Sequence, residues 1–313
     1  MSGSPVAGFA SPVSVARGGE QDATAVLRRE GSAESMSRLV WRRFRRHRLA
    51  LVGLAILLGL SLFAFVVPLF VPEEAANRLV VTEILHPPSL AHPFGTDDVG
   101  RDIFLRAIFG GQVSLRIGFL AALLSVTIGI AVGAVAGYNQ GWIDNGLMHF
   151  TDALLSIPTL FILIVLTQVV GQSILVITVV IGILSWMGVS RLVRANVLSL
   201  AQQDFVLAAQ AIGVGPGTIL VRHILPNTLA PVVVAATLGV GQAIILEASL
   251  SFLGLGVQPP TATWGNMLYR AQSFLVTAPW IAFFPGMLIL ITVLCVNFVG
   301  DGLRDAFDPR SIR

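Results

Sequence analysis

The strongest constraint on this chain is a set of long runs without one charged side chain: Leu49 to Pro72, Ile117 to Ile143, Ala153 to Ser190, His223 to Leu246, Ala248 to Tyr269 and Ala271 to Gly300. About 20 apolar residues in a helix cross roughly 30 Å of hydrocarbon, and a helix satisfies every backbone polar group within its own segment. Not every run is one helix. Ala153 to Ser190 would extend about 57 Å if helical, nearly twice the bilayer core, and Gly171-Gln172-Ser173 is the natural turn that makes it a hairpin. From His223 one helix reaches about Leu255, and the Gly/Pro-rich stretch GLGVQPPTATWGN that follows cannot stay helical in lipid. The prediction is an all-α polytopic membrane protein with six transmembrane helices. A content of 55% hydrophobic and 12% charged residues, with mean hydropathy +0.82, excludes an ordinary soluble domain.

Charge sets the expected orientation. Arg42-Arg43-Phe44-Arg45-Arg46-His47-Arg48 precedes the first run, and a basic flank stays in the cytoplasm. With both termini inside, fifteen of the 20 Arg are cytoplasmic; Arg78, Arg101, Arg106, Arg116 and Arg270 are outside. Residues 1–37, rich in Ser, Gly and Ala, read as a disordered cytoplasmic tail. Residues 38–110 read as an N-terminal helix with an extracytoplasmic segment, and 111–313 as a five-helix core. In the second span Gly129, Gly133 and Gly137 form a small-xxx-small stripe that allows close helix packing.

Several chemistries are absent. The chain has no Lys, so it can supply neither a P-loop Lys nor a Schiff base. The single Cys295 permits no intramolecular disulfide and no zinc site built on cysteines. No Ser/His or His/Asp/Glu constellation has catalytic spacing. No catalytic residue, metal ligand or bound cofactor is predicted, and nucleic acid is not an expected partner.

The stretch 204–227, DFVLAAQAIGVGPGTILVRHILPN, lies between two apolar segments and belongs in neither. Phe205, Ala208, Ala209 and Ile212 fall at i, i+3, i+4 and i+7, giving one apolar helix face. Asp204 is the expected N-cap, Gly213 the left-handed helix end, and Pro216 the first turn of a second helix. Among the ten residues Phe205 to Val214 only Gln210 has a polar side chain, too few for a helix lying free in water. It either rests in lipid headgroups or is covered by a partner.

The spacing Ala208-Ala209, Gly213, His223, Leu225-Pro226 resembles the EAA loop of ATP-binding-cassette (ABC) importer permeases, except that Leu207 stands where the family has Glu. The segments HPFGTDD from His92 and GRD from Gly100, ASLSFLGLG from Ala248, Pro259-Pro260, Trp264-Gly265 and GDGLRD from Gly300 resemble the second permease subunit of peptide-class importers, the dipeptide, oligopeptide and nickel group. This resemblance covers roughly residues 40–310. It implies that 204–227 forms a coupling helix docked on an ATPase, with Asp204, Phe205, Ala208, Ala209, Ile212, Gly213, Leu225 and Pro226 as its elements. It further implies a homologous permease as heterodimer partner, two ABC ATPase subunits that use ATP and Mg, and an extracytoplasmic substrate-binding protein. The setting would be a prokaryotic inner membrane, and the cargo peptides or a related small solute.

Two further groups stand out. Asp97, Asp98, Arg101 and Asp102 read either as a solvated loop with ion pairs worth at most about 1 kcal/mol, or as an outer gate or binding-protein contact. Glu247, an ionisable residue within a span, either makes a structural contact or lines the translocation path. A self-sufficient secondary transporter or channel is the competing function; it would show an internal repeat or several mid-membrane charges, and neither is evident.

Overall fold

The computed structural model describes residues 36–308; residues 1–35 and 309–313, where the predicted tail and the last two Arg fall, lie outside the described residues. A short helix α1 (Met36–Phe44) leads into α2 (Arg48–Val66), whose N-terminus is capped by the His47 ring accepting from Ala50 N–H. After α3 (Glu73–Asn77) comes the 37-residue α4 (Ile103–Asn139). Helices α5 (Gly141–Leu155) and α6 (Thr159–Val170) meet at 83°, broken at Pro158. Then follow α7 (Ile174–Ala201), α8 (Asp204–Ala211), α9 (Pro216–Phe252, with a π-helical turn at Ile219–Ile224), α10 (Trp264–Ala271) and α11 (Trp280–Phe307). The described residues contain no strand, only an isolated bridge between Thr96 and Asp102.

Among the described residues, helices α2, α4, α7, α9 and α11 are long and apolar enough to cross a membrane, and the bent pair α5–α6 brings the number to six if it counts as one span. The centre is the packing of α4 on α7. A Cβ at Gly129 would lie 2.6 Å from the Val189 Cβ, and one at Gly133 only 2.4 Å from the Ser190 carbonyl oxygen, so the two backbones touch where only hydrogen fits. A cluster of Val113, Ile117, Leu163, Ile177, Ile181 and Leu250 fills the space between α4, α6, α7 and α9. Many large apolar side chains on the outward faces stay exposed, among them Leu58, Phe119, Val165 and Phe283, as lipid-facing surfaces require.

Several boundaries differ from those predicted. Helix α4 starts at Ile103 rather than near Ile117, so Arg106 and Arg116 are helical and the expected division at 110/111 cuts a continuous helix. Counted as one span, α5 and α6 begin at Gly141, well before the expected Ala153, and are bent at their break. Helix α9 starts at Pro216, and α11 runs from Trp280 past Gly300 to Phe307. The physical reason is shared: charge-free windows mark what hydrocarbon tolerates, whereas helices continue wherever their charges find partners. Asp144 and Arg194 form a two-point ion pair joining α5 to α7, and Arg191 pairs with Asp152 beside it.

Candidate functional site

Two ends of the bundle carry the residues singled out by sequence. At one end, α8 sits beneath α7 and the start of α9. Gln203, with extended backbone, occupies the N-cap position without a side-chain cap bond; Asp204 is the first helical residue, where its charge still complements the helix dipole. That corrects the assignment of Asp204 as N-cap. The helix ends in a Schellman arrangement: Val214 N–H donates to Ala209 O and Gly213 N–H to Gln210 O, each at 3.0 Å, with Gly213 at φ +81°. Pro216 opens α9.

The faces of α8 also differ from the sequence expectation. Val206 and Ala209 are buried against Val193, Val197, Ile219 and Ile224, holding the helix to its own bundle. Ala209 is therefore not on an open docking face. Phe205, Leu207, Ala208, Ala211 and Ile212 point outward, and Ile212 is 81% exposed. In a short helix that is apolar all round, periodicity cannot say which stripe turns inward; the neighbours decide. A Cβ at Gly213 would meet only open space, so this position requires the left-handed backbone alone, without close packing. Leu225 is half-buried and Pro226 exposed at the base of α9.

At the other end, residues 81–102 fold against α10 and α11. Trp280 Nε1–H donates to Thr96 O at 3.3 Å, and Phe94 stacks on Phe284 at 4.0 Å. Asp97 and Arg101 are both buried. Asp97 Oδ1 accepts from the N–H groups of Val99 and Arg101, and Oδ2 accepts from Arg101 Nε at 2.7 Å. Arg101 Nη2 approaches the same oxygen at 2.7 Å but makes no aligned hydrogen bond. The solvated-loop reading fails here, because this pair is built into the fold. Asp98 reaches Arg270 at 3.1 Å, fastening the loop to α10. Asp102 caps α4 by accepting from Leu105 N–H, and its other oxygen meets His92 Nδ1 at 2.7 Å. Glu83 lies 3.2 Å from His92 Nε2. The hydrogen bond to Asp102, reinforced by the Glu83 charge, holds the His92 pKa above its ordinary value.

Glu247 is fully buried. Ser251 Oγ–H donates to it at 2.7 Å and Ser114 Oγ–H at 3.3 Å, while Ser114 Oγ also accepts from Trp264 N–H. The carboxyl group thus joins α9 to α4 and the start of α10, and in this conformation it is enclosed rather than facing open space. Sequence reasoning missed Arg106. It reads as a loop cation, yet it is 3% exposed in the first turn of α4, with Nη1 donating to Asn77 Oδ1. Its only signal was its position three residues after Ile103, on the same buried helix face.

Residues 129–313 match the family described as binding-protein-dependent transport system inner membrane component, and residues 35–88 the N-terminal TM domain of oligopeptide transport permease C. The dipeptide transport system permease protein DppC of Alkalihalophilus pseudofirmus is 41% identical over 279 residues, 89% of this chain and 91% of that one. The glutathione transport system permease protein GsiD of Escherichia coli O6:K15:H31 is 43% identical over 270 residues, 86% of this chain and 89% of that one. Among solved structures, a chain of the MetNI methionine ABC transporter in inward-facing conformations shares the fold, with TM-score 0.54 and 19% identity over 66% of this chain and 97% of that chain.

Proposed function

This chain belongs to the family of binding-protein-dependent transport system inner membrane components, the permease subunits of ABC importers, and we propose that its cargo is peptides, moved across the inner membrane by a heterodimer with a homologous permease. Two ATPase subunits hydrolyse Mg-ATP, and an extracytoplasmic binding protein delivers the cargo. The permease itself performs no chemistry: it binds no nucleotide and serves as the moving wall of the path. Both termini and α8 face the cytoplasm in this reading, and the Asp97–Asp102 region faces the binding protein.

The observation that carries the proposal is the division of α8 into two faces. Val206 and Ala209 weld it to α7 and α9, while Phe205, Ala208 and Ile212 remain uncovered. A helix fixed to the bundle on one side and apolar on the other can pass a push from a docked ATPase into α9. Gly213 and Pro216 set the angle of the connection.

The test is reconstitution of the complete importer in liposomes with labelled trialanine. Uptake should require Mg-ATP, the binding protein and an active ATPase, and the permease alone should hydrolyse no ATP. Uptake by the permease without ATPase would overturn the assignment of roles.

A further inference from the structure

Between the first turn of α4, the non-helical segment after α9 and α10 lies a cavity of about 220 Å³ lined by Arg106, Ser251, Gln258, Asn266, Tyr269 and Arg270. Most of its polar groups are already engaged. Ser251 Oγ–H is donated to Glu247; Asn266 Nδ2 donates to the carbonyls of Val257 and Thr261, and its Oδ1 accepts from Thr263 N–H. Gln258 Nε2 donates to Gly254 O and Gly256 O. What remains is cationic and donor-rich. Among the described residues Arg106 donates its side chain to one neutral acceptor, Asn77, no carboxylate lies within ion-pair distance of it, and the Tyr269 hydroxyl has no protein partner. Arg270 gives Nη1 to Asp98 and keeps its other N–H groups.

The charges do not balance. Arg101 is paired with Asp97 and Arg270 with Asp98, so the buried Arg106 guanidinium has no ion-pair partner of its own and feels those two carboxylates only at a distance, against two neighbouring cations. A buried cation without a counter-charge is costly unless an anion completes the site, and a guanidinium presents its N–H groups in a fork that matches a carboxylate. We propose that this cavity is a carboxylate-binding site, and that its ligand is the C-terminal carboxylate of the cargo peptide as it enters the bundle. Naming the peptide as the source rests on the function proposed above; the carboxylate chemistry does not. The volume is below the usual range for whole small molecules and suits one terminal residue. Arg106 and Arg270 grip the two oxygens, the Tyr269 hydroxyl donates a third hydrogen bond, and the Gln258 oxygen remains to accept the peptide N–H next to the carboxylate. The cavity abuts the Ser251–Glu247 contact, so occupation bears on the joint between α9, α4 and α10.

The full chain in lipid nanodiscs, probed with N-acetylalanine and its C-terminal amide by saturation-transfer NMR, tests the site without relying on transport. The acid should give a signal and the amide should not. Tyr269→Phe should weaken the acid about threefold, Arg270→Gln more, and Arg106→Met at least tenfold, with Arg106→Lys recovering part of the loss. Equal signals for acid and amide, undiminished binding in a folded Arg106→Met, or equally effective competition by inorganic phosphate would overturn the proposal. Should Arg106→Met fail to fold, unchanged binding in both Tyr269→Phe and Arg270→Gln has the same force. In the reconstituted importer, free trialanine should be taken up with a lower KM than trialanine amide. Equal uptake of the two overturns the peptide as source, whereas no uptake of either counts against the peptide-importer reading and leaves the nanodisc result to decide the site.

Discussion

Replacing Ile212 with Asp separates docking from folding on α8. Ile212 is 81% exposed in the chain alone, so the substitution should change the permease's own stability by no more than about 0.5 kcal/mol. If the ATPase covers this side chain, docking buries most of an isoleucine, worth about 1.5–3 kcal/mol, and the carboxylate adds the cost of an unpaired buried charge. The combined loss of about 3 kcal/mol or more corresponds to at least a hundredfold weaker association. Ala209→Asp should act differently. Ala209 is 7% exposed within the cluster of Val193, Val206 and Ile224, so its carboxylate would be forced into the permease's own core at a cost of several kcal/mol. The assay is co-expression of an affinity-tagged permease with its ATPases, reading both the permease yield in detergent and the ATPase retained per permease. Ile212→Asp should give a normal yield without ATPase, and Ala209→Asp a reduced yield. Parental ATPase retention in Ile212→Asp would refute the docking face.

Other outcomes follow from packing and charge. Gly133→Val would drive a side chain into the Ser190 carbonyl oxygen, and the α4–α7 pair should lose about 1–3 kcal/mol or more, seen as a lower melting temperature in detergent; an unchanged melt would contradict the close packing. Arg194→Leu leaves the buried Asp144 unpaired and should cost about 1–3 kcal/mol, and adding Asp144→Asn should return part of it, which a double-mutant cycle measures. The His92 pKa is raised above 6.5, so its stabilising contribution is fully present below that pH and is lost as pH rises through the folded-state value. Thermal melts should fall from pH 6 to pH 9, and His92→Gln should flatten that slope. With Cys295 replaced, single cysteines at Ala91 and Val276 should react with an impermeant reagent outside intact cells, and one at Gln203 should not; labelling of Gln203 would invert the orientation.

Composition and charge-free run lengths were enough to determine a helical, membrane-spanning chain, because hydrocarbon admits no other open backbone and its thickness sets the length of a span. The Gly171–Ser173 turn, the left-handed Gly213 and the glycine stripe were equally legible, since each depends on local backbone geometry or on the absence of a Cβ. What the sequence could not decide were choices made by neighbours. Every side of α8 is apolar enough to be the inner one, and only its seating on Val193, Ile219 and Ile224 turns Val206 and Ala209 inward and leaves Ile212 out. Arg106 and Asp97 read as loop charges until the tertiary fold brought Asn77 to the one and buried the other with Arg101. Charges mark helix ends in a sequence only when water is their sole partner, and here Asn77, Asp98, Asp144 and Ser114 come from elements distant along the chain, so their effect is fixed by packing alone.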